Sequence, residues 1–106
     1  MLCRVSTHEI AELADLSRAF KALSNPNRLA IYLEVLRHSE TAVKSCGLSE
    51  LIDRLEIGAP TVSHHTKELV QAGLIRVEKD GKFLRCRLNP AMRDKLTHFF
   101  TKPDLE

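Results

Sequence analysis

The side chains with the most chemistry to offer in this sequence fall into two groups. In the first, Thr61, Ser63, His64 and Lys67 come within seven residues, and Arg76, Lys79, Lys82, Arg85 and Arg87 come within the next twenty. Short hydroxyl and imidazole groups hydrogen-bond base edges and nearby phosphates in a major groove, while ammonium and guanidinium groups neutralise phosphates. The second group is sulfur: Cys3, Cys46 and Cys86. An odd number of cysteines with no CxxC pair neither closes a disulfide framework nor marks a structural zinc, so the thiols are either inert or a sensor. The five histidines do not fall at metal-ligand spacings along the chain.

Charge distribution favours the first group. The chain has 106 residues and a formal net charge of only +2, from 16 Lys+Arg against 14 Asp+Glu, so attraction to a polyanion must come from local charge. Residues 1–58 hold seven basic and eight acidic positions, residues 59–88 six and three, and residues 89–106 three of each. The excess therefore sits in the hydroxyl-rich segment and the strand-like residues just after it. The length fits one compact domain, which excludes a two-domain enzyme. No apolar run approaches the roughly 20 residues that cross a bilayer, and residues 1–12 lack the apolar stretch of a secretory signal. A soluble cytoplasmic protein with no membrane partner and no enzymatic activity is expected.

These groups must be carried by helices and a hairpin. Ser6-Thr7-His8-Glu9 reads as a capping box opening a helix, with Ile10, Leu13, Phe20 and Leu23 at near-helical spacing. Asn25 caps a second helix from Pro26 to about His38, and its near-continuous apolar residues predict a helix surrounded by others. Ser39–Gly47 reads as a loop. A third helix opens at Leu48-Ser49-Glu50-Leu51, and a fourth runs from Pro60 to Ala72, stopped by Gly73, so residues 48–73 form a helix-turn-helix. Leu74–Lys79 and Lys82–Leu88 are strand-like runs joined by Asp80-Gly81, a hairpin turn that needs positive φ. Asn89-Pro90 caps a fifth helix with Met92, Leu96, Phe99 and Phe100 on one stripe. The whole is a single domain over residues 1–106, mainly α with a small β-hairpin. The first (6–23) and last (90–101) helices are its best candidates for burial against a second copy of the chain, so a homodimer is expected.

Two stretches now carry a resemblance. Phe20-Lys21-Ala22-Leu23-Ser24-Asn25-Pro26-Asn27-Arg28-Leu29 resembles the KALSDPTRL opening of the ArsR/SmtB winged-helix repressors. Pro60-Thr61-Val62-Ser63-His64-His65 through Ala72-Gly73-Leu74-Ile75 is similar to their recognition helix and its exit, and the likeness spans about residues 10 to 90. It implies a winged helix-turn-helix homodimer, joined through its first and last helices. Such a dimer binds an inverted-repeat operator in double-stranded DNA and represses transcription until an effector releases it. By position, the resemblance makes Thr61, Ser63, His64 and Lys67 the groove-reading face and Lys79 and Lys82 the tip of a wing over residues 74–88. His65 lies nearer the packed side and is read as a support for the helix.

The effector is where this chain departs from the family. Members with a metal site at the third helix carry Cys-Val-Cys there, and those positions are Gly47-Leu48-Ser49 in this sequence. Members with zinc at the last helix use an Asp-x-His pair and a later His-x-x-Glu, whereas this chain offers Asp94 and His98; neither site is present as such. The thiols remain. Strand alternation turns Cys86 toward the core, where packing is its expected role. Cys3 near the N-terminus and Cys46 in a loop are expected to be accessible. The resemblance places the N-terminal arm of one subunit near the reading head of its partner. A Cys3–Cys46 link through a disulfide, or through a thiophilic ion such as trivalent arsenic, would then tilt the helix-turn-helix. A different class of function, a winged helix used only for protein association through Phe99 and Phe100, is the alternative.

Overall fold

Two asparagines begin the helices that bracket the functional segments. The computed structural model describes residues 7–101; the expected capping residue Ser6 and the thiol of Cys3 lie outside them. Helix α1 spans Thr7–Leu23. The Asn25 side chain then accepts from the backbone N–H groups of Asn27 and Arg28 at 2.9 and 3.2 Å, starting α2 over Pro26–Ser39. A two-residue strand β1, Cys46–Gly47, leads into α3, Leu48–Leu55, and α4, Ala59–Gln71. Strands β2, Ile75–Asp80, and β3, Phe83–Leu88, precede α5, Pro90–Thr101.

The expected hairpin is therefore the larger part of a three-stranded antiparallel sheet in the order β1-β3-β2. The expected Ser39–Gly47 loop ends in a strand whose Cys46 pairs with Cys86 and whose Gly47 pairs with Arg85. Two residues are too few to show a period. The hairpin turn is also one residue later than expected, because Asp80 pairs with Phe83. Gly81 takes φ +64° and Lys82 does not take a positive φ, the II′ pattern whose twist suits a hairpin. The shift puts Lys82 at the tip. In the helix-turn-helix the left-handed turn residue is Glu56, at φ +53°, while Gly58 is the ordinary N-cap of α4.

One hydrophobic core holds these elements together. Ile31 and Val35 of α2, Leu51 of α3, Val62 and Leu69 of α4, Leu74, Ile75 and both sheet cysteines are its most deeply buried members. Helix α2 is not apolar all round in its packing. It buries Ile31, Tyr32, Glu34 and Val35 but leaves Leu29 and Leu33 about half exposed on the opposite flank. The buried Glu34 carboxylate draws Arg37 of its own helix to 2.6 Å and Arg54 of α3 to 3.1 Å, which pins the first helix of the motif to the core.

The exit from α4 decides where the hairpin goes. Gly73 N–H donates to Val70 O and Leu74 N–H to Leu69 O, both at 3.0 Å. This pair of bonds is the Schellman arrangement, which needs a left-handed residue at Gly73, and its φ is +78°. Asn89 locks the junction from the far end of the hairpin. Its side-chain amide donates to Gly73 O at 2.7 Å, its backbone N–H donates to Leu74 O at 3.1 Å, and its side-chain oxygen accepts Ala91 N–H at 3.2 Å to begin α5. A methyl group at Gly73 meets only Met92 Cε at 3.6 Å, so the strain of a substitution there is in the backbone. Gly73→Ala is expected to lower stability by about 1–2 kcal/mol, read as a lower urea midpoint at fixed protein concentration with an unchanged slope. An unmoved midpoint would contradict this role for the junction.

Candidate nucleic-acid interface

Helix α4 has two faces with different work. Val62, His65, Thr66 and Leu69 are buried, while Thr61, His64 and Lys67 are exposed and Ser63 is half-buried at the edge. The expected reading face is thus presented to solvent on one helix. It also extends one turn further than expected, because Gln71 is exposed in line with Ser63, His64 and Lys67. The i, i+4 spacing from Lys67 was the available signal. Between α4 and the hairpin runs a groove of about 340 Å³, whose walls include Ser63, Lys67, Val70 and Gln71 on the helix side and Val77 and Leu84 on the strand side.

His65 is buried and supports the helix, as its position suggested. Arg28, at the start of α2, donates through Nε to Ala22 O at 2.5 Å and reaches His65 Nδ1 with Nη1 at 3.3 Å. One guanidinium therefore ties the end of α1 and the start of α2 to the recognition helix. Burial, then the Arg28 charge, holds the His65 imidazole below its ordinary value of 6.5.

The hairpin does not present its basic residues as one cluster. Paired residues of an antiparallel sheet share a face, and alternation sends their neighbours to the other. The register puts Val77, Cys86, Lys79 and Leu84 on one face and Arg76, Arg87, Glu78 and Arg85 on the other. On that second face the arginines are engaged. Arg85 donates to Ser45 Oγ at 2.7 Å and lies 4.0 Å from Glu50. Arg87 pairs with Glu78 at 3.1 Å, and Arg76 donates to Asn89 at 3.4 Å. The expected five-residue cationic patch is thus corrected by the sheet register. Lys79 stands on the groove side and Lys82 at the tip, where its ammonium lies 5.9 Å from the Phe83 ring centroid. Both are exposed and, with Lys67, make no ion pair among the described residues.

The model for a helix-turn-helix domain family matches residues 23–78. The arsenical resistance operon repressor of Staphylococcus aureus is 35% identical over 85 residues, covering 77% of this chain and 73% of that protein. The chain belongs to the ArsR/SmtB family of winged helix-turn-helix repressors. Another relative, the HTH-type transcriptional repressor SmtB of Mycobacterium tuberculosis, is 40% identical over 68 residues, covering 64% of this chain and 46% of its own. Among solved structures, the homodimeric winged helix-turn-helix DNA-binding domain Mb0332 of Mycobacterium bovis superimposes with a TM-score of 0.68 at 21% identity, covering 99% of this chain and 94% of that one. This ArsR/SmtB chain is a DNA-binding transcriptional repressor of the ArsR type, not an enzyme. No described helix is long and apolar enough to cross a membrane.

The sulfur chemistry differs from expectation. Cys46 is not accessible in a loop; it is fully buried in β1, beside Cys86 on the same sheet face, and both thiols are free. Burial, with the Glu50 and Glu34 charges adding to it, pushes the Cys46 thiol up to about 11, and burial pushes Cys86 up to about 12. Protonated, enclosed thiols are poor nucleophiles. Cys3 lies outside the described residues, so the Cys3–Cys46 link has no geometry to support it. Trivalent arsenic takes three thiolates. Among the described residues, the donor atoms that meet at Cys46 are its own thiol, the His38 imidazole and the Glu50 carboxylate, a mixed set with a single thiolate. Sequence spacing gave no hint of His38 or Glu50 as its neighbours.

The His65 geometry carries a pH dependence. A group whose pKa is lowered by folding stabilises the native state fully above its unfolded value and loses that contribution as pH falls below it. Wild-type melting temperature should therefore drop between about pH 7 and pH 5 more steeply than that of His65→Asn. Parallel curves would remove His65 as the cause.

Proposed function

We propose that this ArsR-type repressor works as a homodimer on an inverted-repeat operator. In this reading α4 enters the major groove and the hairpin, as the wing, lies along the flanking phosphates. Thr61, Ser63, His64 and Lys67 read base edges and adjacent phosphates, and Lys79 and Lys82 hold the backbone. The observation that carries the reading is the solvent-facing stripe of α4 flanked by two hairpin lysines that make no ion pair among the described residues. The dimer is supported by an uncovered apolar surface. Ile10 and Leu13 of α1 and Phe99 and Phe100 of α5 are exposed, and Phe20, Phe99 and Phe100 form a triangle of edge-on rings with centroids 5.4–5.6 Å apart. Burying such a face against its copy removes the apolar area from water. Operator release by an effector, a thiophilic-metal signal, completes the reading. The arsenical resistance repressor's name is consistent with it.

Phosphate contacts and base contacts separate in experiment. Replacing Lys79 and Lys82 together with Ala should weaken binding to all duplexes and flatten the dependence of log K on log salt by roughly one per lysine removed. Ser63→Ala or His64→Ala should instead reduce preference for the operator by about 1–3 kcal/mol and leave binding to unrelated DNA nearly unchanged. Fluorescence anisotropy on operator and scrambled duplexes reads both. An equal loss on both duplexes from all four positions would overturn the division of roles. No DNA binding by the folded wild type would favour a protein-association module built on the Phe99/Phe100 face.

A further inference from the structure

The start of the helix-turn-helix holds a cluster that the reading face does not use. His38 of α2, Cys46 of β1 and Glu50 of α3 each offer one donor atom, and the three atoms lie within 4.8 Å of one another. Two of the three are already oriented by the protein. His38 Nδ1 donates to the Glu34 carbonyl oxygen at 2.8 Å, which leaves Nε2 facing Glu50 Oε2 at 3.6 Å. Glu50 Oε1 accepts the Gly47 N–H at 3.1 Å, leaving Oε2 for another partner. Gly47 is part of this device, because a Cβ there would lie 3.0 Å from Glu50 Oε1. A histidine held at one nitrogen by a carbonyl and a carboxylate held at one oxygen by an amide are the outer-shell contacts that orient metal ligands.

We propose that His38, Cys46 and Glu50 form a binding site for a zinc-like divalent ion, held by one thiolate, one imidazole nitrogen and one carboxylate oxygen with solvent in the fourth position. The mixed donor set suits a borderline ion rather than one that demands three thiolates. Zinc bonds of about 2.0–2.3 Å give a tetrahedral edge of roughly 3.3–3.8 Å; the His38–Glu50 separation already matches, and Cys46 Sγ lies within 4.8 Å of both. Glu50 is 48% exposed and His38 20% exposed, which gives the ion a way in to the buried sulfur. Facing the site, the carboxylates of Glu50 and Glu34 stand against Arg85 and Arg54, with Glu34 also paired to Arg37. On binding, the Cys46 S–H bond is replaced by a sulfur–metal bond and the proton passes to solvent. The ion bridges α2, β1 and α3, the helix ahead of the recognition helix. Its consequence for DNA rests on the repressor reading, whereas its binding does not.

The test uses full-length Cys3→Ser protein, so that the thiol outside the described residues cannot contribute. Cobalt(II) is titrated while following sulfur-to-cobalt charge-transfer absorption, and zinc affinity is measured by competition with a chromophoric chelator. One ion per chain with a charge-transfer band is expected, with binding about tenfold or more weaker in His38→Gln and Glu50→Gln and no band in Cys46→Ala. Both Gln variants change partly exposed side chains, so they decide the matter even if Cys46→Ala fails to fold by circular dichroism. Absence of saturable binding, or Gln variants that titrate like their parent, would overturn the site. DNA anisotropy on the same metal-free samples keeps the readings apart: a folded, metal-binding protein that ignores DNA sinks the repressor reading and leaves this site standing.

Discussion

The arrangement of the reading surface depends on the hydrogen bonds that converge on Gly73 and Leu74. Helix α4 ends there in a left-handed glycine, the hairpin leaves from there, and Asn89 returns to the same two carbonyls before opening α5. A helix end leaves backbone carbonyls without partners. This chain satisfies them with its own next elements, so one small set of bonds fixes the angle between recognition helix and hairpin. The core beneath, with Val62, Leu69, Leu74 and Ile75 all within 1% of full burial, keeps water away from that junction. Midway along α4, Arg28 reaching to His65 ties the helix to the turn between α1 and α2. The reading face is therefore held at its middle and at its C-terminal end while its outer side chains stay in solvent.

Electrostatics at the hairpin are set by register rather than composition. Counting basic residues over the segment overstates the cationic surface, since Arg87 is paired with Glu78 on its own sheet face and Arg85 faces Glu50 of α3. Exposed pairs of this kind add little stability, and their effect is chiefly to remove charge from the surface that faces DNA. What is left is sparse and well placed: one lysine beside the groove, one at the tip and one on the helix.

Sulfur shows the same contrast between chain position and spatial position. Cys46 reads as a loop residue until β1 is recognised as the third strand, and then it is a core residue opposite Cys86. Its burial removes ready thiol chemistry at neutral pH. The same fold sets that sulfur beside an imidazole from α2 and a carboxylate from α3, which turns an unreactive thiol into a member of a mixed donor set.

Local rules acting over a few residues were enough for much of this protein. Asn25 and Asn89 as caps, Pro26 and Pro60 in first turns, Gly73 as a stop and Gly81 as a turn residue placed three helices and a hairpin to within a residue or two, and the outward face of α4 came from its 3.6-residue period. Paired motifs in order then sufficed for the family. The tertiary structure alone decided that Leu29 and Leu33 face solvent, that the arginines of β3 turn away from the groove, and that His38, Cys46 and Glu50 meet. Each of these depends on which distant segment supplies the neighbour, across separations such as the 40 residues between Ser45 and Arg85. A two-residue strand has no period of its own, so its register is set by the partner strand and the core it closes.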